Sequence, residues 1–164
     1  MEQNKTQHIL GLLRLVMGWI FLWAFFDKLF GLGFSTAAGK SWLVGVSPTA
    51  GFLQFGVHGP LAGFFHSLAG VQLVDWLFML GLLFVGLTLM TGIFMKLGSF
   101  FGKIMLLLMY LAVGVSPTTN PFIDEHIVYI LIIMILVLTD SGQYLGLGSW
   151  WARTSFVQKY PFFK

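Results

Sequence analysis

Nearly unbroken apolar runs recur four times along this chain. Each is long enough, or almost long enough, to cross about 30 Å of hydrocarbon as a helix of roughly 20 residues. They extend from about Ile9 to Phe30, from Val74 to Met95, from Leu97 or Gly98 to Val115, and from His126 to Asp140. The fourth is short, so it is expected to gain a turn before His126 or to lie with little tilt. The first does not read as a cleavable signal sequence. It is too long, Arg14 lies inside it, and Asp27 and Lys28 precede the weak small-residue run Ser35 to Ala38. The expected fold is all-α, a single polytopic membrane domain over residues 1–164 built as a four-helix transmembrane bundle.

The pattern breaks down over residues 31–73. Nine glycines and two prolines interrupt many aromatic and aliphatic residues there. Such a stretch is too apolar for a free loop and too broken for a span, and it predicts a re-entrant or interfacial lid over the ends of the helices. Pro48 to Phe55 and Pro60 to Ala69 each suit a short helix, since proline is favoured in a first turn and Ser47 or Gly59 can precede it as a cap. The string Val-Gly-Val-Ser-Pro-Thr occurs at Val44 to Thr49 and again at Val113 to Thr118. It stands differently relative to the preceding span in the two copies, so a shared helix-ending turn explains it as well as a duplication does.

Composition points the same way. The chain is 57% hydrophobic and 9% charged, with a mean hydropathy of +0.88, whereas a soluble domain carries about 25% charged residues. The formal charge of +3 comes from basic residues placed singly at segment ends, which sets nucleic acid aside. The chain has no cysteine, which excludes disulfides, thiolate metal sites, iron–sulfur ligation and thiol chemistry of its own. With the N-terminus in the cytoplasm, Lys5, Arg14, Lys96, Lys103, Arg153, Lys159 and Lys164 fall on the cytoplasmic side, against Lys28 and Lys40 outside. The positive-inside rule therefore predicts a multi-pass protein with both termini in the cytoplasm, and the expected location is the plasma membrane of a prokaryote. Arg14 and Lys103, one to two turns inside their helices, are expected to snorkel to the headgroups. In this orientation every acidic residue and histidine except Glu2, His8 and Asp140 lies on the outer side.

That asymmetry selects the candidate site. Trp19, Trp23 and Asp27 recur every four residues and form a column on one helix face. A tryptophan as deep as Trp19 is either helix packing or the wall of a pocket for a flat apolar ligand. Asp27 and Lys28 are neighbours about 100° apart, so their partners must come from other segments. Asp124, Glu125, His126 and Tyr129 offer a base, an imidazole and a phenol within a turn and a half, although Asp124 or Asn120 also suits the cap of the fourth helix. His58 and His66 read as interfacial histidines. Tyr110 either bonds across the bundle or touches a ligand. There is no nucleotide-binding glycine fingerprint, no zinc spacing and no facing histidine pair for haem, so no haem, flavin or metal site is expected.

Several of these strings are similar to those of the DoxX/DoxD family. They are Arg14 to Gly31 with Gly18, Trp23, Asp27 and Lys28, the Ser47-Pro48-Thr49 turn, Gly59-Pro60-Leu61, Phe65 to Gly70, and Asn120-Pro121 with Asp124-Glu125-His126. The resemblance covers nearly the whole chain. It implies a four-helix membrane protein whose DoxD branch is the membrane subunit of thiosulfate:quinone oxidoreductase, joining two thiosulfates into tetrathionate while a quinone takes the electrons. It also implies a quinone as acceptor and a small DoxA-like partner subunit; membrane lipid and further copies of the chain are the other expected partners. Two hypotheses then stand. In the first, Lys28, Lys40 and protonated His126 attract an anion, Asp27, Asp124 or Glu125 handle quinol protons, and Trp19, Trp23, Tyr110 and Tyr129, with His66, line the pocket. In the second, the outer polar residues of a non-catalytic scaffold pin the lid. A small-solute carrier is a third class, weakened by the lack of a charge at mid-bilayer depth.

Overall fold

The computed structural model describes residues 2–114 and 121–164, and among these all regular structure is helical. The helices are α1 (Glu2–Phe30), α2 (Ala50–Phe55), α3 (Ala62–Ser67), α4 (Gln72–Thr91), α5 (Met95–Val113), α6 (Glu125–Leu138), α7 (Gly148–Trp151) and α8 (Ser155–Lys159). Single 3-10 turns lie at Trp42–Val44, Ser141–Gln143 and Pro161–Phe163. Three helices, α1, α4 and α5, are long and apolar enough to cross a membrane. α6 is apolar but has 14 residues, which is about 21 Å of helix.

Helix ends follow local backbone chemistry rather than the ends of the apolar runs. The apolar run reaches Met95, but α4 stops at Thr91. Gly92 takes a left-handed φ of 78° and returns its amide to the Thr88 carbonyl at 2.9 Å. Phe94 is left-handed as well, at φ 57°, and the chain restarts as α5 at Met95. α1 begins at Glu2, two turns before Ile9, because the polar opening residues are also compatible with a helix. α2 and α3 are preceded by Thr49 and Leu61 rather than by Ser47 and Gly59, though Ser47 Oγ still accepts the Ala50 amide at 3.0 Å. Asn120 and Val115 to Thr118 of the second repeated string lie outside the described residues.

Successive long helices run antiparallel. Gly18 of α1 meets Met90 of α4 and Gly86 of α4 meets Leu22 of α1, while Gly98 and Gly102 of α5 meet Thr88 and Val85 of α4. A methyl group added at Gly18 would stand 2.8 Å from the Met90 amide nitrogen, so α1 and α4 approach closely through small residues. α6 packs on α5 and also touches α1. The interior they enclose is a stripe at helical spacing: Met17, Phe21 and Phe25 of α1 against Met79, Leu82, Val85 and Leu89 of α4, with Leu106, Ile133 and Leu136 from α5 and α6. The opposite faces remain apolar and exposed, as at Leu12, Val16, Leu77, Leu80, Leu107 and Leu131. Helices apolar on all sides need an apolar surrounding.

Both ends of the helices are covered. At one end, Leu53, Val57 and Phe65 from the 31–71 segment form a second small core with Ala112 of α5, and the His58 amide donates to the Ala112 carbonyl at 3.1 Å. At the other, residues 141–164 fold back on the α4–α5 turn. There the ring centroids of Phe94 and Trp151 are 4.8 Å apart, Trp151 Nε1 donates to the Phe163 carbonyl at 2.7 Å, and the Leu147 amide donates to the Thr91 carbonyl at 2.7 Å.

Candidate functional site

α1 ends at Phe30, and the Gly31 amide donates to the Asp27 carbonyl at 2.8 Å with a φ of 67° that reverses the chain. The reversal brings residues 34–36 back over Asp27. Its carboxylate accepts from the Phe34 amide at 3.2 Å, Ser35 Oγ at 2.7 Å and the Thr36 amide at 2.8 Å. The residue is 1% exposed, and a carboxylate that far from solvent is tolerable only with such donors. Lys28 Nζ donates to the same Ser35 hydroxyl at 3.3 Å and stands 6.0 Å from the Phe78 ring centroid. Ser35 therefore links the two adjacent charges that the helix itself points apart.

Beside this clasp lies an open groove of about 490 Å³, lined by Trp19, Ile20, Trp23, Ala24, Asp27, Phe34 and Ser35. The indoles of Trp19 and Trp23 are 5.6 Å apart, and Phe34 meets Trp23 edge-on at 5.0 Å. Trp19 is 51% exposed, so it is not buried helix packing. The structure thus gathers Trp19, Trp23 and Asp27 in one groove, joined by Phe34, a residue that the sequence pattern did not single out.

A second clasp holds the same segment. Asp75, in the first turn of α4, is buried and accepts at Oδ1 from Ser47 Oγ at 2.8 Å and Thr49 Oγ1 at 2.5 Å. Next to it Trp42 packs edge-on against Trp76 at 4.6 Å. The sequence pattern assigns Asp75 no role. The available signal was the pairing of an acidic residue opening an apolar helix with the hydroxyls flanking Pro48.

At the start of α6, Asp124 is the cap. Its Oδ1 accepts the His126 amide at 3.0 Å and the Ile127 amide at 3.3 Å, and Oδ2 lies 2.6 Å from His126 Nδ1. Glu125 points to the exterior and His126 is buried. Tyr110 donates to the Phe122 carbonyl at 2.8 Å. Tyr129 packs against the main core, and His66 is exposed on α3. Among the described residues, no hydrogen bond or ion pair joins Asp27 or Lys28 to Asp124, Glu125 or His126, and no group of three or more acidic or histidine side chains could hold a metal ion. The outer polar residues therefore fall into separate stations, with Asp27, Asp75 and Asp124 each held by its own donors.

Arg14 differs most from its expected role. It does not snorkel. It is fully buried, with Nη1 donating to the carbonyls of Leu89 and Met90, the latter at 3.0 Å, and Nη2 to those of Tyr144 at 2.9 Å and Leu145 at 3.0 Å. The last carbonyls of α4 have no partners within their helix and carry its negative dipole end, so a planar cation with several donors satisfies them. Room for it depends on Gly146, where an added methyl would stand 2.7 Å from Nη2.

Together these features define a class: among the described residues, an all-α protein with three helices able to cross a membrane, tied at both ends by buried charges. No family model, curated protein or solved structure matches the chain.

Proposed function

We propose that this is an integral membrane protein in which α1, α4, α5 and α6 all span the bilayer, and that it acts as a non-catalytic membrane subunit or scaffold of DoxX/DoxD type. The expected extra turn before His126 is absent, since Asp124 is extended, and the non-helical residues 121–124 together with the turn at Thr139 and Asp140 supply the length that the 14 residues of α6 lack. The orientation follows the basic residues, with both termini in the cytoplasm. The observation that carries the reading is the state of Asp27: it is buried and occupied by three donors from residues 34–36. A proton carrier needs a carboxylate that substrate can reach, whereas this one holds a segment in place. Asp75 and Asp124 are occupied in the same manner.

A second reading, the quinone-linked oxidoreductase subunit acting on thiosulfate or a similar anion, is favoured by the groove of Trp19, Trp23 and Phe34. Its aromatic faces suit a flat ring. The Ser35 hydroxyl at its polar end already donates to Asp27, which leaves Lys28 as the cation nearest the groove. The deciding experiment gives thiosulfate and a quinone analogue to the protein purified with its native partners. The scaffold reading expects no turnover that depends on Lys28 or Asp124. Turnover that disappears in Lys28→Ala or Asp124→Asn, with the helical fold and melting temperature kept, would replace it with the redox reading.

A further inference from the structure

The tail that closes the Arg14 end carries a charge pattern that packing does not explain. From Ser141 to Lys164 there is no acidic residue, while Arg153, Lys159 and Lys164 are basic. Asp140, at the foot of the tail, is paired with Lys164 Nζ at 3.0 Å. Arg153 and Lys159 remain exposed and without a carboxylate partner among the described residues, as does Lys96 at the start of α5. Lys96 is drawn into the same surface, because its Nζ donates to the Pro161 carbonyl at 3.3 Å. Large aromatics interleave with these charges: Trp150 is 60% exposed, Phe162 59% and Tyr160 47%. Lys159 Nζ lies 5.4 Å from the Tyr160 ring centroid.

These side chains are displayed by a folded platform. The contacts of Trp151 with Phe94 and Phe163 hold the tail against the α4–α5 turn, where two helices able to cross a membrane meet its boundary. Aromatic side chains settle at that depth, and basic side chains there meet headgroup phosphates. The opposite end of the molecule has the reverse balance, with Asp27, Asp75, Asp124 and Glu125 against Lys28 and Lys40.

We infer that the 141–164 tail is a preformed binding surface for anionic phospholipid: Lys96, Arg153 and Lys159 receive acidic headgroups, while Trp150, Tyr160 and Phe162 seat at the edge of the acyl region. The inference rests on the reading of the chain as an integral membrane protein. Its test uses the full-length protein in phosphatidylcholine bilayers carrying a trace of spin-labelled phosphatidylglycerol or spin-labelled phosphatidylcholine. The motionally restricted fraction is measured for each. The expected preference for phosphatidylglycerol is at least about fivefold at low salt, and it shrinks at high salt. Lys96→Gln/Arg153→Gln/Lys159→Gln removes it, and Lys28→Gln/Lys40→Gln at the opposite end leaves it in place. Arg153→Gln/Lys159→Gln, which changes two exposed side chains only, lowers it by half or more. Equal retention of the two lipids by the native protein, or an unchanged preference in the triple variant, overturns the inference and would point instead to an acidic protein partner. Failure of the native protein to remain with membranes after alkaline extraction would sink the membrane reading itself, and the inference with it.

Discussion

The two ends of the molecule solve one problem with opposite charges. At the Asp27 end, carboxylates on helices reach out and accept hydrogen bonds from a returning segment: amides and a hydroxyl at Asp27, two hydroxyls at Asp75. At the Arg14 end a guanidinium donates to four carbonyls, two from the end of α4 and two from the tail. Neither end pairs its buried charge mainly with an opposite side-chain charge. Each uses polar groups of the chain that would otherwise lack partners in an apolar setting. The difference lies in what is being satisfied. The carboxylates order a glycine-rich segment with weak structure of its own, whereas Arg14 completes the end of a long helix. Loss of the cation should therefore damage the bundle, and loss of a carboxylate should chiefly loosen the segment above it.

The largest effect is expected at Arg14. Arg14→Ala removes four hydrogen bonds in a buried site and should cost about 3–5 kcal/mol, seen as a much lower melting temperature in detergent. Arg14→Lys should recover only part of this, because one ammonium cannot span both pairs of carbonyls. Full recovery by lysine would show that charge at the dipole end matters and the fork geometry does not. Asp27→Ala comes next, at about 2–3 kcal/mol, with a distinct signature: proteolysis within residues 31–71 should rise well before the helices melt. Simultaneous loss of both would erase the proposed contrast between the ends.

Asp75→Asn is expected to be milder, about 1 kcal/mol, since both hydroxyls converge on Oδ1 and an amide oxygen can still accept them. A loss as large as that of Asp27→Ala would mean that the charge, rather than the acceptor, holds the second clasp. The smallest effect belongs to Lys164→Gln. Its partner Asp140 has a 56% exposed side chain, and an exposed pair contributes about 0–1 kcal/mol. A change beyond that range in thermal denaturation would make the ion pair, rather than the aromatic contacts of Trp151, the lock on the tail.

The reasons for what could and could not be read from the chain are visible at particular residues. The column of Trp19, Trp23 and Asp27 was legible because a helix places residues four apart on one face whatever surrounds it. So was the capping option at Asp124, because the residue opening an apolar helix meets free amides by necessity. The expectation that Arg14 would snorkel failed for the converse reason. Its partners are 75 and more residues away, and an isolated helix gives the side chain only the headgroups to seek. The outer polar residues looked like one cluster because the sequence reports which side a residue is on, not which neighbour it faces. In the structure Asp27 turns to its own following loop and His126 to the cap two residues before it.

What the sequence by itself determined is the class of the molecule. Apolar runs of helical length, scarce charge and a broken segment between the first two runs permit an all-α protein suited to a bilayer and little else, because burial is decided by composition over a whole helix. The tertiary structure alone decided the partners of the charges: that Asp75 receives Ser47 and Thr49, that Arg14 closes α4 against the tail, and that the tail folds back as a plate at all. Those choices depend on distances between segments remote in sequence. A buried charge takes whichever unsatisfied donor or acceptor the packing of the helices brings within reach.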